Sequence, residues 1–172
     1  MKRFTELLAK LLELIVTVSV AGSVLVVIWG VFSRFVVSVP SRWTEELAIN
    51  LLSWVALLGA ALAFRKRQHL GVDLIFNRLD PDAQRLNAIL IQLLVILFAA
   101  VVMIWGGVNL VMGTLSTGQI TAALGIRVGL TYLAIPLSGL AIVLFAIEEI
   151  VELIRLEKSP AAPSDSEIQR QP

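Results

Sequence analysis

"LAINLLSWVALLGAALAF", residues 47–64, runs its whole length without a charged side chain. Glu45 and Glu46 bound it on one side, and Arg65, Lys66 and Arg67 on the other. A half-buried helix of a water-soluble domain interrupts such a run with charge every few residues, and a half-buried strand does so at alternate positions. As a helix the stretch rises about 27 Å, close to the roughly 30 Å of a bilayer's hydrocarbon core. It reads as a membrane span.

Three further charge-free stretches flank it, at 14–33, 86–126 and 128–147. The longest divides, because 86–112 is nearly all apolar whereas "GTLSTGQ", 113–119, has turn composition. Barrel strands would alternate apolar and polar residues over about 10 positions, and these stretches do not. Of the 172 residues, 58% are apolar and 16% charged, against about 25% charged in soluble domains. The expected fold class is an all-α integral membrane protein with one membrane domain over 1–155. Its four transmembrane helices are expected near 11–33, 44–64, 86–112 and 128–150. A disordered tail is expected over 156–172, where "EKSPAAPSDSEIQRQP" is rich in Pro, Ser and charge. Lys2 and Arg3 precede an apolar run, as in a secretory leader. That run is too long for a leader and lacks an A-x-A site, so the first helix is expected to be retained.

Eleven of the fourteen Lys and Arg residues fall before the first span, between the second and third, or after the fourth. The positive-inside rule then puts both termini and the central loop in the cytoplasm, and residues 42–46 at the outer face. Within the central loop Val72, Ile75, Phe76 and Leu79 share one helical face, predicting a short amphipathic helix over about 70–79 on the inner membrane surface. Asp80, Pro81 and Asp82 suit the start of the third helix.

No Asp, Glu, Lys, Arg or His occupies the middle of a span. Each would cost at least about 2.5 kcal/mol there and would mark an ion or substrate path. Asn50, Ser53, Gln92, Asn109, Thr131 and Ser138 are read as interhelical hydrogen bonders. Ala56, Gly59, Ala60 and Ala63, and the pair Gly125 and Gly129, are read as packing surfaces within the chain. Pro136 is expected to kink the fourth helix. His69, with Asp73 four residues on, offers too few ligands for a catalytic zinc site. There is no cysteine, H-E-x-x-H, G-x-S-x-G or P-loop, and the basic residues form no single stripe. An enzyme and a nucleic-acid partner are both unexpected. For Glu45 and Glu46 two readings stand. Thr44 caps the second helix and the acids meet its dipole, or the acids, Trp43 and Arg42 make a protein contact.

"FSRF" (32–35), "WTEELA" (43–48), "SWVALLGAALAFRKRQHLGVDLI" (53–75) and "YLAIPLSGL" (132–140) together resemble the small membrane subunit of TRAP transporters, the tripartite ATP-independent periplasmic family. The resemblance extends over about 15–145 and is most specific from Arg34 to Asp73. It implies sodium-coupled import of an organic acid, such as a C4-dicarboxylate or sialic acid, across the bacterial inner membrane. A periplasmic binding protein would deliver the acid to a large many-helix permease that holds the substrate and sodium sites. The small subunit would brace that permease, surrounded otherwise by lipid, with no cofactor of its own. On this resemblance Arg34, Arg42, Trp43, Glu45, Glu46, Trp54, His69, Asp73 and Pro136 are the candidate partner-contact or structural positions. A four-helix exporter is the alternative, with Glu13 as the nearest approach to the membrane-embedded acid it needs. A membrane-anchored assembly protein is another.

Overall fold

A computed structural model describes residues 2–38, 41–66 and 81–157. His69, Asp73, the helix expected at 70–79 and the tail from 158 lie outside the described residues. The elements are α1 (Lys2–Phe35), α2 (Arg42–Arg65) and α3 (Pro81–Phe98), then a π-helical segment (Ala99–Gly106), α4 (Gly107–Ser116), α5 (Val128–Tyr132) and α6 (Ala134–Glu157). Four stretches are long and apolar enough to cross a membrane: Arg3–Phe35, Arg42–Arg65, Leu86–Ser116 and Val128–Ile154.

The boundaries differ from the sequence expectation in ways that have local causes. With no Gly or Pro in its first turns, α1 runs unbroken from Lys2 and not from 11, so its 34 residues rise about 51 Å and overshoot the hydrocarbon core. The third span continues past Met112 to Ser116 because its hydroxyls bond their own helix. Thr114 Oγ1 donates to Leu110 O at 2.7 Å and Ser116 Oγ to Gly113 O at 2.8 Å. Residues that make a turn in water serve here as internal donors. The fourth span runs on through Leu133, whose φ −58° and ψ −24° are helical, with its backbone bonding interrupted at Pro136. Pro136 has no N–H to give Tyr132 O, so α5 ends at Tyr132, and bonding resumes with Leu137 N to Leu133 O at 3.3 Å. At its far end α6 reaches Glu157, two residues into the expected tail.

The spans pack as a row and not as a closed bundle. α2 lies between α1 and α6, and α6 lies between α2 and the α3–π segment. Ala9 and Leu12 of α1, Leu58, Ala61 and Leu62 of α2, and Ala141 and Phe145 of α6 form the main apolar core. The small-residue stripe read on α2 is not that core. Ala56 and Ala60 are exposed, while Gly59 and Ala63 edge a groove beside Lys10 and Glu13. Gly125 lies outside any helix with φ +64°, so Gly125 and Gly129 form no helical G-x-x-x-G face.

Gly139 lets α6 approach the π segment: a Cβ there would come within 2.7 Å of Met103 Cβ, whereas one on Gly59 would meet nothing within 4 Å. Gly139→Val should therefore destabilise the folded subunit by about 1 to 3 kcal/mol. Gly59→Ala should be neutral or stabilising by up to about 1 kcal/mol. Unfolding midpoints in detergent check the pair, and equal loss in both variants would contradict the packing.

Candidate functional site

The outer end of the row is built around the turn from α1 to α2. α1 closes with the N–H groups of Val36 and Val37 both reaching Phe32 O, and Ser38 turns the chain at φ 60°. Ser41 is the N-cap of α2, so Thr44 is not the cap but the third helical residue. Its hydroxyl donates to Ser41 O at 2.6 Å and lies 3.1 Å from Ser41 Oγ. Thr44 is buried against α1 at Gly30, where a Cβ would sit 2.9 Å from Thr44 Oγ1. This contact sets the angle at which α2 leaves the turn.

With α2 so placed, Glu45 and Glu46 diverge by about 100° around the helix and take different roles. Glu46 faces the loop between α4 and α5. Its Oε2 accepts the backbone N–H of Ala123 at 2.9 Å and of Leu124 at 2.8 Å. The loop is a small closed structure. Ile120 and Arg127 pair antiparallel, Val128 N bonds Gln119 O at 3.0 Å, and Thr121 N bonds Ile126 O at 2.8 Å. Between them Gly125 N donates to Thr121 O at 3.1 Å, closing one helical turn that Gly125 ends in the left-handed conformation. Such a turn leaves its leading amides without intrahelical acceptors, and the Glu46 carboxylate supplies the acceptor. One turn further along α2, Asn50 Oδ1 accepts from Thr131 Oγ1 at 3.1 Å. Glu46 and Asn50 thus hold the loop and α5 to α2.

Glu45 is exposed on the other side, in a groove between α1 and α2 lined also by Val31, Arg34, Phe35, Arg42 and Ile49. Among the described residues none of Arg34, Arg42 and Glu45 forms an ion pair. Trp43 is 40% exposed at the same end. Trp54 and Pro136 sit elsewhere. Trp54 packs on the main core, and the Pro136 ring faces Gly107, where a Cβ would be 3.0 Å from Pro136 Cδ.

At the opposite end, contacts not foreseen from sequence join α1, α2 and α6. Arg65 Nη1 donates to Thr5 O at 2.6 Å while its guanidinium lies 5.1 Å from the centre of the Phe145 ring. Thr5 Oγ1 donates to Glu148 Oε1 at 2.8 Å, and Lys66 Nζ pairs with Glu13 at 2.5 Å. The flanking charges signalled this end; which charge meets which helix depends on the row order, and α1's first turns carried no tertiary signal. Of the six mid-span polar residues, Asn50 and Thr131 bond each other between helices. Ser53 and Ser138 bond their own helices, to Ile49 O and Ile135 O. Gln92 Oε1 is buried without a hydrogen-bond partner among the described residues, and Asn109 is exposed with none. No cluster of three or more potential metal ligands occurs among the described residues.

A row of four apolar helices, with most of its bonded polar groups fastening helix ends and loops, has the build of a multi-pass membrane protein. Residues 23–156 match the family described as tripartite ATP-independent periplasmic transporters, DctQ component, and the chain belongs to that family. It is 27% identical over 146 residues to the sialic acid TRAP transporter small permease protein SiaQ of Vibrio cholerae, covering 84% of this chain and 83% of that one. A TRAP transporter small permease protein of Haemophilus influenzae is 24% identical over 154 residues, covering 90% and 94%. The sialic acid TRAP transporter permease protein SiaT of Haemophilus influenzae is 33% identical over 79 residues, 43% of this chain but 13% of that longer one. The protein is thus a small permease component of a TRAP transporter, not an enzyme.

The divergence of the two acids is testable. Glu46→Ala removes the acceptor of two amides and should cost about 1 to 3 kcal/mol, since hydrogen bonds to charged groups are worth about 1.5 to 3 each and this site is part-exposed. Glu45→Ala removes only a first-turn dipole contact and should cost under about 1 kcal/mol. Denaturant midpoints of the purified subunit in detergent separate them, and equal costs would refute the assignment.

Proposed function

We propose that this chain is the scaffold of a sodium-coupled importer of an organic acid, and that it neither binds the substrate nor moves during transport. The observation that carries the reading is how its polar groups are used. Glu46, Asn50, Thr131, Arg65 and Glu148 each fasten one part of the chain to another. Such fastening suits a static brace better than a translocation path, which needs ionisable groups accessible inside the membrane. Glu13, the acid an exporter would require, pairs with Lys66 at the end of the charge-free stretch.

The partners of this reading are a large many-helix permease subunit, which would hold the sodium and substrate sites, and a soluble periplasmic binding protein. The organic acid is of the sialic acid or C4-dicarboxylate class, in keeping with the sialic acid named for the Vibrio cholerae relative. No cofactor is assigned to the small subunit. Both termini face the cytoplasm, and the loop held by Glu46 faces the periplasm, as the charge distribution favours.

Reconstitution tests the assignment. Vesicles holding this chain alone should take up no labelled organic acid under a sodium gradient. Vesicles holding it with the large subunit should do so once binding protein is added. Uptake by the chain alone would overturn the scaffold. A cysteine at Gln119 should react with an impermeant maleimide from the periplasmic side of intact cells, and reaction from the cytoplasmic side alone would reverse the topology.

A further inference from the structure

Two polar side chains on the third span lie where lipid would leave them unsatisfied. Their depth follows from contacts already described. The Asn50–Thr131 bond sets α2 and α5 level at those residues, and both helices run the same way. Pro136, five residues past Thr131, is therefore level with about residue 55 of α2, near the centre of the charge-free stretch 47–64. Gly107 packs on Pro136 and shares that level. Trp105 and Asn109, two residues to either side of Gly107, accordingly lie within about one helical turn of the bilayer middle.

Both point away from the rest of the chain. Trp105 is 69% exposed and Asn109 is exposed, and neither has a hydrogen-bond partner among the described residues. Four residues apart, they share one face with the exposed Val101 and Met112. An indole belongs by preference at the membrane–water interface, where its N–H meets an acceptor. A carboxamide deep in hydrocarbon has the same need for both its N–H groups and its oxygen. The backbone beneath them is irregular too, since Trp105 lies in the last turn of the π segment that Gly139 allows to pack on α6. π turns are rare and recur at functional positions.

We infer that the Val101–Trp105–Asn109–Met112 face seats a transmembrane helix of the large permease subunit. That helix presents a hydrogen-bonding side chain or an open carbonyl to Asn109 and an acceptor to the Trp105 indole. This inference rests on the scaffold reading and adds to it the face and the chemistry of the contact. The longer Haemophilus influenzae permease favours that occupant over a second copy of this chain, because the matched segment is joined there to a much larger remainder of the same polypeptide. A one-to-one partner is thus at hand, while α1 and the α1–α2 groove are left to lipid or other contacts.

The test co-expresses the affinity-tagged chain with the large subunit of its own system and measures the large subunit recovered per tagged chain. Asn109→Leu should lower recovery by about three- to thirtyfold, the range that interhelical hydrogen bonds of this kind give. Asn109→Gln should restore part of it, and both variants should remain monodisperse when expressed alone. A photo-reactive phenylalanine analogue at Met112 should cross-link to the large subunit. Unchanged or increased recovery with Asn109→Leu would mean the face meets lipid and would overturn the inference. Cross-linking from Met112 chiefly to a second copy of this chain would do the same. Failure of the unaltered chain to bring down any large subunit would instead overturn the scaffold reading, and this face with it.

Discussion

One carboxylate, that of Glu46, claims two backbone amides from a loop 77 and 78 residues away, and the outer half of the protein is organised by that claim. The loop joins the third span to the fourth, which begins with the five residues of α5 before Pro136 interrupts its backbone bonding. Held by Glu46 through the loop and by Asn50 through Thr131, α5 becomes a continuation of α2's surface. Both ends of the exchange gain. The loop amides obtain an acceptor, and the carboxylate obtains two backbone donors at the membrane surface.

The same logic governs the rest of the row. Most buried polar groups inside the bilayer find a partner, because an unmet one costs several times what it costs at a water-exposed surface. Serines and threonines bond their own carbonyls, Arg65 spans three helices at the other end, and glycines let α6 press against the π segment. Gln92 Oε1, Trp105 and Asn109 stand out against that economy. A row also leaves two broad apolar sides, more than a closed four-helix bundle would, and a subunit that works by lying along a larger one has use for such sides.

Four spans were legible because charge-free runs of that length have few alternative readings, and the family was legible from the motif stretch between Arg34 and Asp73. Boundaries were less so. "GTLSTGQ" has turn composition, yet its hydroxyls extend the helix in an apolar setting. Ser41 and Thr44 are both capping residues, and only the packing of Thr44 on Gly30 decides between them. The π segment left no trace in "AAVVMIWG", an apolar run whose close contact with Gly139 lies on another helix. Glu45 and Glu46 looked like a pair because they are adjacent. The informative spacing was Glu46 to Asn50, one turn apart on the face that meets the loop and α5, whereas Glu45 shares its side with Ile49 and the open groove.

The most direct measurement of the Glu46 clasp is amide hydrogen exchange at Ala123 and Leu124, read residue by residue on the subunit in lipid nanodiscs. The clasp predicts slow exchange at both amides in the unaltered protein. It predicts acceleration of about tenfold or more in Glu46→Gln, corresponding to the loss of roughly 1.4 kcal/mol of charge-assisted bonding, and no comparable change in Glu45→Gln. Fast exchange at both amides in the unaltered protein, or equal rates with Glu and Gln at position 46, would contradict it.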